Sequence, residues 1–225
     1  MPDKNISLSK EDGFHTSAEI AYNIISKKIL SGEFAPGMKL SRRKMAEATG
    51  VSVIPVIEAL KKLEEDNLVE SKPQWGSFVT VPTLEKVKQV YQFREAIECQ
   101  TARIVSQTMT AEQRAVLSEI ATILDTTPYS PETVDEMQEM HFQFHTKLTE
   151  FSCNPLLEDA LRKINLFWLL CKALREKRPQ VTVPRYWHMR LIDVIAEGDS
   201  QKAEEMMREH ILDSFYPIIQ NWGKN

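Results

Sequence analysis

A mainly α chain in two parts, a small winged helix-turn-helix followed by an all-α helical bundle, is what three observations in the sequence predict. Apolar residues recur with helical spacing through most of the chain. Five of the seven glycines (Gly13, Gly32, Gly37, Gly50, Gly76) fall in the first 80 residues, where short elements need turns. The two β-type runs are confined to that same region, on either side of Lys72-Pro73-Gln74-Trp75-Gly76. A length of 225 residues suits two small domains or one large one. The composition changes near residue 81, which gives a polar N-terminal tail over 1–15, a small domain over 16–81 and a bundle over 83–221.

The elements of the small domain follow in order. Ser17 to Leu30 carries Ile20, Ala21, Ile24, Ile25 and Ile29 on one helical face, and Gly32 ends it. Glu33-Phe34-Ala35-Pro36-Gly37 is a turn with its own breakers. Ser41 is placed to cap a short helix through Ala48, and Thr49-Gly50-Val51 turns the chain. Ser52 then caps a longer helix with Val56, Ala59, Leu60 and Leu63 on its apolar side. Pro55 lies in the first turn, where a missing N–H is harmless. Leu68–Ser71 and Ser77–Val81 read as strands, with Lys72–Gly76 as the hairpin tip.

After Pro82 the pattern is long, helix-periodic and nearly free of glycine, so the second part is expected to be all-helical. No apolar run approaches the roughly 18 residues of a membrane-spanning helix, and Met1–Gly13 has no secretory apolar region. Cys99, Cys153 and Cys171 are an odd number without metal-type spacing, which suits a reducing compartment. The expectation is a cytoplasmic protein. His15 falls in the polar lead-in and is expected to be solvated. Trp168, Trp187, Phe167, Cys171 and the methionines read as core or cavity lining.

The formal net charge of −4 excludes a uniformly basic nucleic-acid coat. Between Lys27 and Lys62, however, eight basic residues stand against three acidic ones, a local +5. That is the footprint of phosphate contacts. A winged helix used only for protein contacts, with a solvated basic face, fits the same pattern. Ile29–Leu40 and Met45–Ser52, continued by Pro55-Val56, Glu58-Ala59-Leu60 and Gly76, resemble the DNA-binding domain of the GntR family over about residues 16–81. The resemblance implies a transcriptional regulator, a repressor by default, acting as a homodimer on a near-palindromic double-stranded DNA operator. Candidate DNA contacts are Arg42, Arg43, Lys44, Ser52, Val53, Ile54, Lys72, Trp75 and Gly76. Two departures stand out, because Val53 and Ile57 occupy positions where the family usually carries arginine. An arginine–guanine pair discriminates bases by about 1–3 kcal/mol, so an atypical operator is expected.

Four of the five histidines follow residue 140, and each lies on an apolar face. His141 and His145 are one helical turn apart on a stripe with Met137, Phe144 and Leu148. His188 runs with Leu191, Ile192 and Ile195, and His210 with Ala203, Met206, Met207 and Ile211. Any one of them reads as a core histidine satisfied by a hydrogen bond. Four converging imidazoles are what zinc, nickel or copper prefer. Residues 83–221 also resemble the FCD domain of FadR-type GntR regulators, through Phe93–Glu98, Phe144-His145, Asn154–Leu157, His188 and Ile195–Asp199, with Ala203, Met207 and His210 in the last helix.

In metal-binding members an Asp-x-x-x-His pair joins two later histidines. His145, His188 and His210 match the three histidines, and His141 stands at the aspartate position. The resemblance therefore implies one divalent transition metal per chain, zinc or nickel, and a small carboxylate effector bound on or near it. Arg94 is the first candidate for a second carboxylate contact; an ion pair with Glu98 is its other reading. A purely structural metal, a metal-free bundle and a metal-dependent hydrolase are the rival functions. The hydrolase lacks a His-Glu-x-x-His motif, and the chain is not expected to be an enzyme.

Overall fold

A computed structural model describes residues 15–128, 130, 132–173 and 187–221 of the chain. The polar tail over residues 1–14 and the Trp168 side chain lie outside the described part. His15, at its edge, is exposed. The chain divides into two compact units, residues 1–80 and 81–225.

The first unit begins with helix α1 (Ser17–Leu30). Thr16 and Glu19 cap its start reciprocally, each side chain accepting from the other's backbone N–H. Strand β1 (Lys39–Leu40) leads into α2 (Arg42–Thr49) and α3 (Val53–Glu65). Gly50, at φ 72°, makes the left-handed turn that ends α2. Strands β2 (Val69–Lys72) and β3 (Gly76–Val79) follow, and the antiparallel sheet runs β1-β3-β2. Val69 pairs with Val79 and Lys72 with Gly76, so the hairpin loop is Pro73-Gln74-Trp75 alone. Ala21, Ile25, Ile29, Leu40, Met45, Val56, Leu60, Leu63, Leu68 and Val79 form the core between helices and sheet.

Two expectations are corrected in this unit. Ser41 and Ser52 stand at the N-cap positions of α2 and α3, but neither hydroxyl makes the capping hydrogen bond. The initial amides of both helices therefore lack a side-chain cap. Strand β1 was not expected, because two residues are too few to show an alternation; its register, Lys39 with Phe78 and Leu40 with Ser77, is set by pairing with β3.

The second unit is a bundle of α4 (Leu84–Thr108), α5 (Ala111–Thr126), α6 (Val134–Glu150), α7 (Pro155–Ala173), α8 (Trp187–Ala196) and α9 (Ser200–Asn221). Thr83 caps α4, and a Thr110–Gln113 capping box starts α5. Helix α4 packs along α9 and also against α6, α7 and α8, while α5 packs on α6 and α8. Val87, Ala102, Val105, Leu117, Ala121, Phe144, Leu148, Phe167, Leu191, Ile195 and Met207 are buried together in one core, with Cys171 among them. Charged pairs tie the rims: Arg208 Nε donates to Glu95 at 2.8 Å, and Arg103 and Arg208 each donate to Glu204 at 2.7 Å. No helix among the described residues is long and apolar enough to cross a membrane.

Candidate metal centre and DNA-reading face

Three helices bring the four histidines to one point inside the second unit. His141 and His145 lie one turn apart on α6, His188 is the second residue of α8, and His210 lies in α9. His145, His188 and His210 are buried and His141 is half-buried, so all four face inward as their stripes predict. One donor nitrogen from each of His141, His188 and His210 lies within 4.8 Å of the other two. His145 Nε2 is 3.2 Å from Nε2 of both His141 and His210. Zinc–nitrogen bonds of about 2.0–2.1 Å at tetrahedral angles place donor atoms about 3.3 Å apart, so the two 3.2 Å separations at His145 have the size of coordination edges.

Two carboxylates hold the rings from behind: Asp125, which the sequence does not single out, and Glu98, which it offers only as an ion-pair partner of Arg94. Asp125, at the end of α5, lies 2.7 Å from His188 Nδ1 and accepts from the backbone N–H groups of His188 (3.2 Å) and Met189 (2.9 Å). It thus caps α8 and turns the imidazole so that Nε2 faces the cluster. That Nε2 is buried with no hydrogen-bond partner among the described residues. Glu98, on α4, contacts His145 Nδ1 with one oxygen and accepts from Arg94 Nε with the other. A signal for both carboxylates exists in hindsight. Asp125 continues the buried stripe Leu117, Ala121, and Glu98 lies on the stripe Tyr91, Arg94, Ala102, Val105. A charge at a core position needs a partner.

The electrostatics favour the neutral form of His141, His145 and His210. Burial pushes the His141 and His210 pKa values well below the ordinary histidine range, and the neighbouring imidazoles and Arg94 push the same way. Burial also lowers His145, against the opposing pull of Glu98. Burial alone would raise the Glu98 carboxyl, but Arg94 and His145 outweigh it and hold it at about 2. Neutral imidazoles offer lone pairs, the form a metal binds. A centre of four imidazoles, an unpartnered buried nitrogen and two carboxylates on the far ring atoms fits zinc or nickel. Arg94 is buried in the Glu98 ion pair, the second of its two expected roles, and its charge acts on His141, His145 and His210.

In the first unit, Arg42, Arg43 and Lys44 form the exposed first turn of α2, and Arg43 pairs only loosely with Glu47 at 3.5 Å. Ser52, Val53 and Ile54 open α3 and are all exposed. Lys72 and Trp75 are exposed at the hairpin, where Gly76 adopts φ 97°. Lys39, not among the expected contacts, stands with Lys72 against the Phe78 ring, at 5.9 and 5.2 Å from its centroid. Lys62 is occupied within the domain, 4.9 Å from the Tyr22 ring centroid.

Comparison with known proteins places both units. Residues 17–79 match the bacterial regulatory proteins of the gntR family, and residues 89–213 match the FCD domain. The HTH-type transcriptional repressor RspR of Escherichia coli K12 is 26% identical over 193 residues, covering 84% of this chain and 83% of that protein. The HTH-type transcriptional regulator YdhC of Bacillus subtilis 168 is 25% identical over 86% of this chain and 85% of its own length. Two solved structures share the fold. The GntR protein of Rhodococcus sp. RHA1 has a TM-score of 0.68 at 22% identity, over 91% of this chain and 98% of that one. McbR/YncC of E. coli has a TM-score of 0.67 at 16% identity, over 93% and 100%. These relatives are regulators and not enzymes, which removes the hydrolase reading. The chain belongs to the GntR family of DNA-binding transcriptional regulators, in the group that carries an FCD domain.

Proposed function

We propose that this protein is a cytoplasmic homodimeric repressor whose grip on a near-palindromic operator is controlled by a small organic acid bound at a His141–His145–His188–His210 metal centre. The observation that carries this reading is the convergence of four imidazoles from three helices, with His188 Nε2 buried and unpartnered among the described residues. A zinc or nickel ion, when bound, supplies a Lewis-acidic position for a carboxylate oxygen.

The chain's own residues do the rest. Asp125 and Glu98 orient His188 and His145, and Phe144 packs edge-on against both rings, with centroids 5.3 Å from His145 and 5.2 Å from His188. One buried cation, Arg94, stands against two anions, Glu98 and Asp125, so a divalent ion leaves the centre at +1. That residual charge favours an anionic guest. Arg94 is placed to share its guanidinium between Glu98 and the guest, since Glu98 and Tyr91 engage only part of a fork with five N–H donors. Effector binding then shifts operator affinity by its differential affinity for the two states.

A second reading, a structural metal without effector, is favoured by one observation: Glu98 already satisfies Arg94. The experiment that separates them is metal content of untagged protein and of a His188→Ala, His210→Ala variant, followed by operator binding of the loaded protein with a panel of small carboxylates. About one equivalent of metal, absent from the variant, with an operator affinity that responds to one acid, supports the proposal. Metal without any such response supports the structural reading, and no metal in either protein overturns both.

A further inference from the structure

Helix α3 buries one face and leaves an apolar patch on the other. Val56, Ala59, Leu60 and Leu63 fill the core at 4% exposure or less. Val53, Ile54 and Ile57 are 42%, 70% and 40% exposed, and they cluster in the first turns of the helix, Val53 and Ile57 one turn apart with Ile54 beside them. Taking the exposed part of such a side chain out of water is favourable. Three left in water at the start of one helix point to a surface that another molecule covers.

The surroundings say which molecule. Arg42, Arg43 and Lys44 are exposed at the start of the preceding helix, Lys61 is exposed two turns beyond Val53, and Lys39 and Lys72 flank the sheet. The segment Lys27–Lys62 carries a net +5 in a chain of net −4. The covering molecule is therefore a polyanion, and three side chains are too small a patch for a stable protein interface of about 1,000 Å². In a helix-turn-helix, the N-terminal residues of the second helix meet base edges in the major groove. Guanine, adenine and cytosine present donors or acceptors there that an aliphatic side chain desolvates without replacing. Thymine alone of the four bases presents an apolar group, its C5-methyl.

We propose that Val53, Ile54 and Ile57 read thymine methyl groups in the operator major groove, while the α2 and sheet cations hold the flanking phosphates. This rests on the DNA-binding role and adds the base it reads. An aliphatic strip in place of guanidinium groups moves specificity from guanine hydrogen bonds to methyl packing.

The test begins with selection of the full-length protein's sites from random duplex DNA. Each thymine of the selected duplex is then replaced by deoxyuridine, which lacks only the methyl group, and binding is measured by fluorescence anisotropy at one fixed salt concentration. The expected result is at least one thymine per half-site whose replacement weakens binding by about 3–10-fold. The same replacement should change binding by less than about 2-fold in a Val53→Ala, Ile54→Ala variant, which loses only exposed side chains and whose fold is checked by circular dichroism. In an Ile57→Arg variant, reselection should enrich guanine at the position facing residue 57. Deoxyuridine tolerated at every position overturns the thymine reading and leaves DNA binding intact. Failure to enrich any sequence overturns both.

Discussion

Asp125 does two jobs with one carboxylate, and that makes it the most informative single position in the bundle. It accepts the first amides of α8 and contacts His188 Nδ1, so the orientation of a candidate ligand depends on a helix cap. Asp125→Asn keeps the size and one accepting oxygen, but it removes the charge that sets the imidazole's tautomer and replaces the other accepting oxygen with an amide donor. Metal affinity, measured by chelator competition, should fall about 10–100-fold, while the fold measured by circular dichroism stays intact. Glu98→Gln should weaken affinity in the same sense, and it also strands Arg94, whose buried guanidinium has Glu98 as its ion-pair partner. Both variants therefore lower the metal-free bundle's Tm, Asp125→Asn through the lost cap acceptor of α8 and Glu98→Gln through the stranded guanidinium. The histidines were legible in the sequence because each lies on the 3.6-residue period of an apolar face. Their carboxylate partners were not, because Glu98 and Asp125 come from other helices, and only packing decides which buried charge meets which ring.

At the level of elements, local signals and tertiary pairing divide the outcome. Helix α1 begins and ends where its apolar stripe and breakers place it, and the start of α3 follows Ser52 as read. Strand β1 exists only through β3, so its two residues carried no periodic signal. Ser41 and Ser52 have the right residue type at the right place, yet their hydroxyls leave the first amides of α2 and α3 uncapped. Arg42, Arg43 and Lys44 are themselves the first residues of α2, which suits a helix start that meets phosphate rather than a side chain. If Arg43 contacts one phosphate per protomer, Arg43→Ala should lower the slope of log K against log salt by about 2 for a dimer, with base preference unchanged. A salt titration of wild type and variant on one duplex measures it. Gly50 offers a stability counterpart. Its φ of 72° suits glycine, and a Cβ there would meet nothing within 4 Å. Gly50→Ala should thus cost about 1–2 kcal/mol from backbone conformation alone, read by denaturant unfolding.

The rims of the bundle carry a pH dependence that belongs to the whole molecule. Glu204 accepts from Arg208 and Arg103, and those hydrogen bonds hold its carboxyl below the ordinary carboxylate value of 4.5. A carboxyl whose folded pKa is depressed stabilises the folded state above its unfolded pKa and loses that contribution as pH falls through the folded one. The clasp of α4 to α9 is therefore in force at neutral pH and fades below about 4.5. Wild type and Glu204→Gln should differ in Tm at pH 7, with wild type the higher, and should converge as the pH is lowered into that window. Metal acts on the same unit by a different route. The candidate ligands all lie in residues 81–225, and the winged helix contributes none. A ligand that binds only the folded bundle stabilises it by about 2.7 kcal/mol at 100 times its Kd. Two compact units with separate cores give two calorimetric transitions if they unfold independently. Zinc or nickel added to the metal-free protein should then raise the bundle's transition by several degrees and leave the winged helix's where it was. A chelator should reverse the shift, and His210→Ala should abolish it. A single transition that rises with metal would instead show that the two units unfold as one.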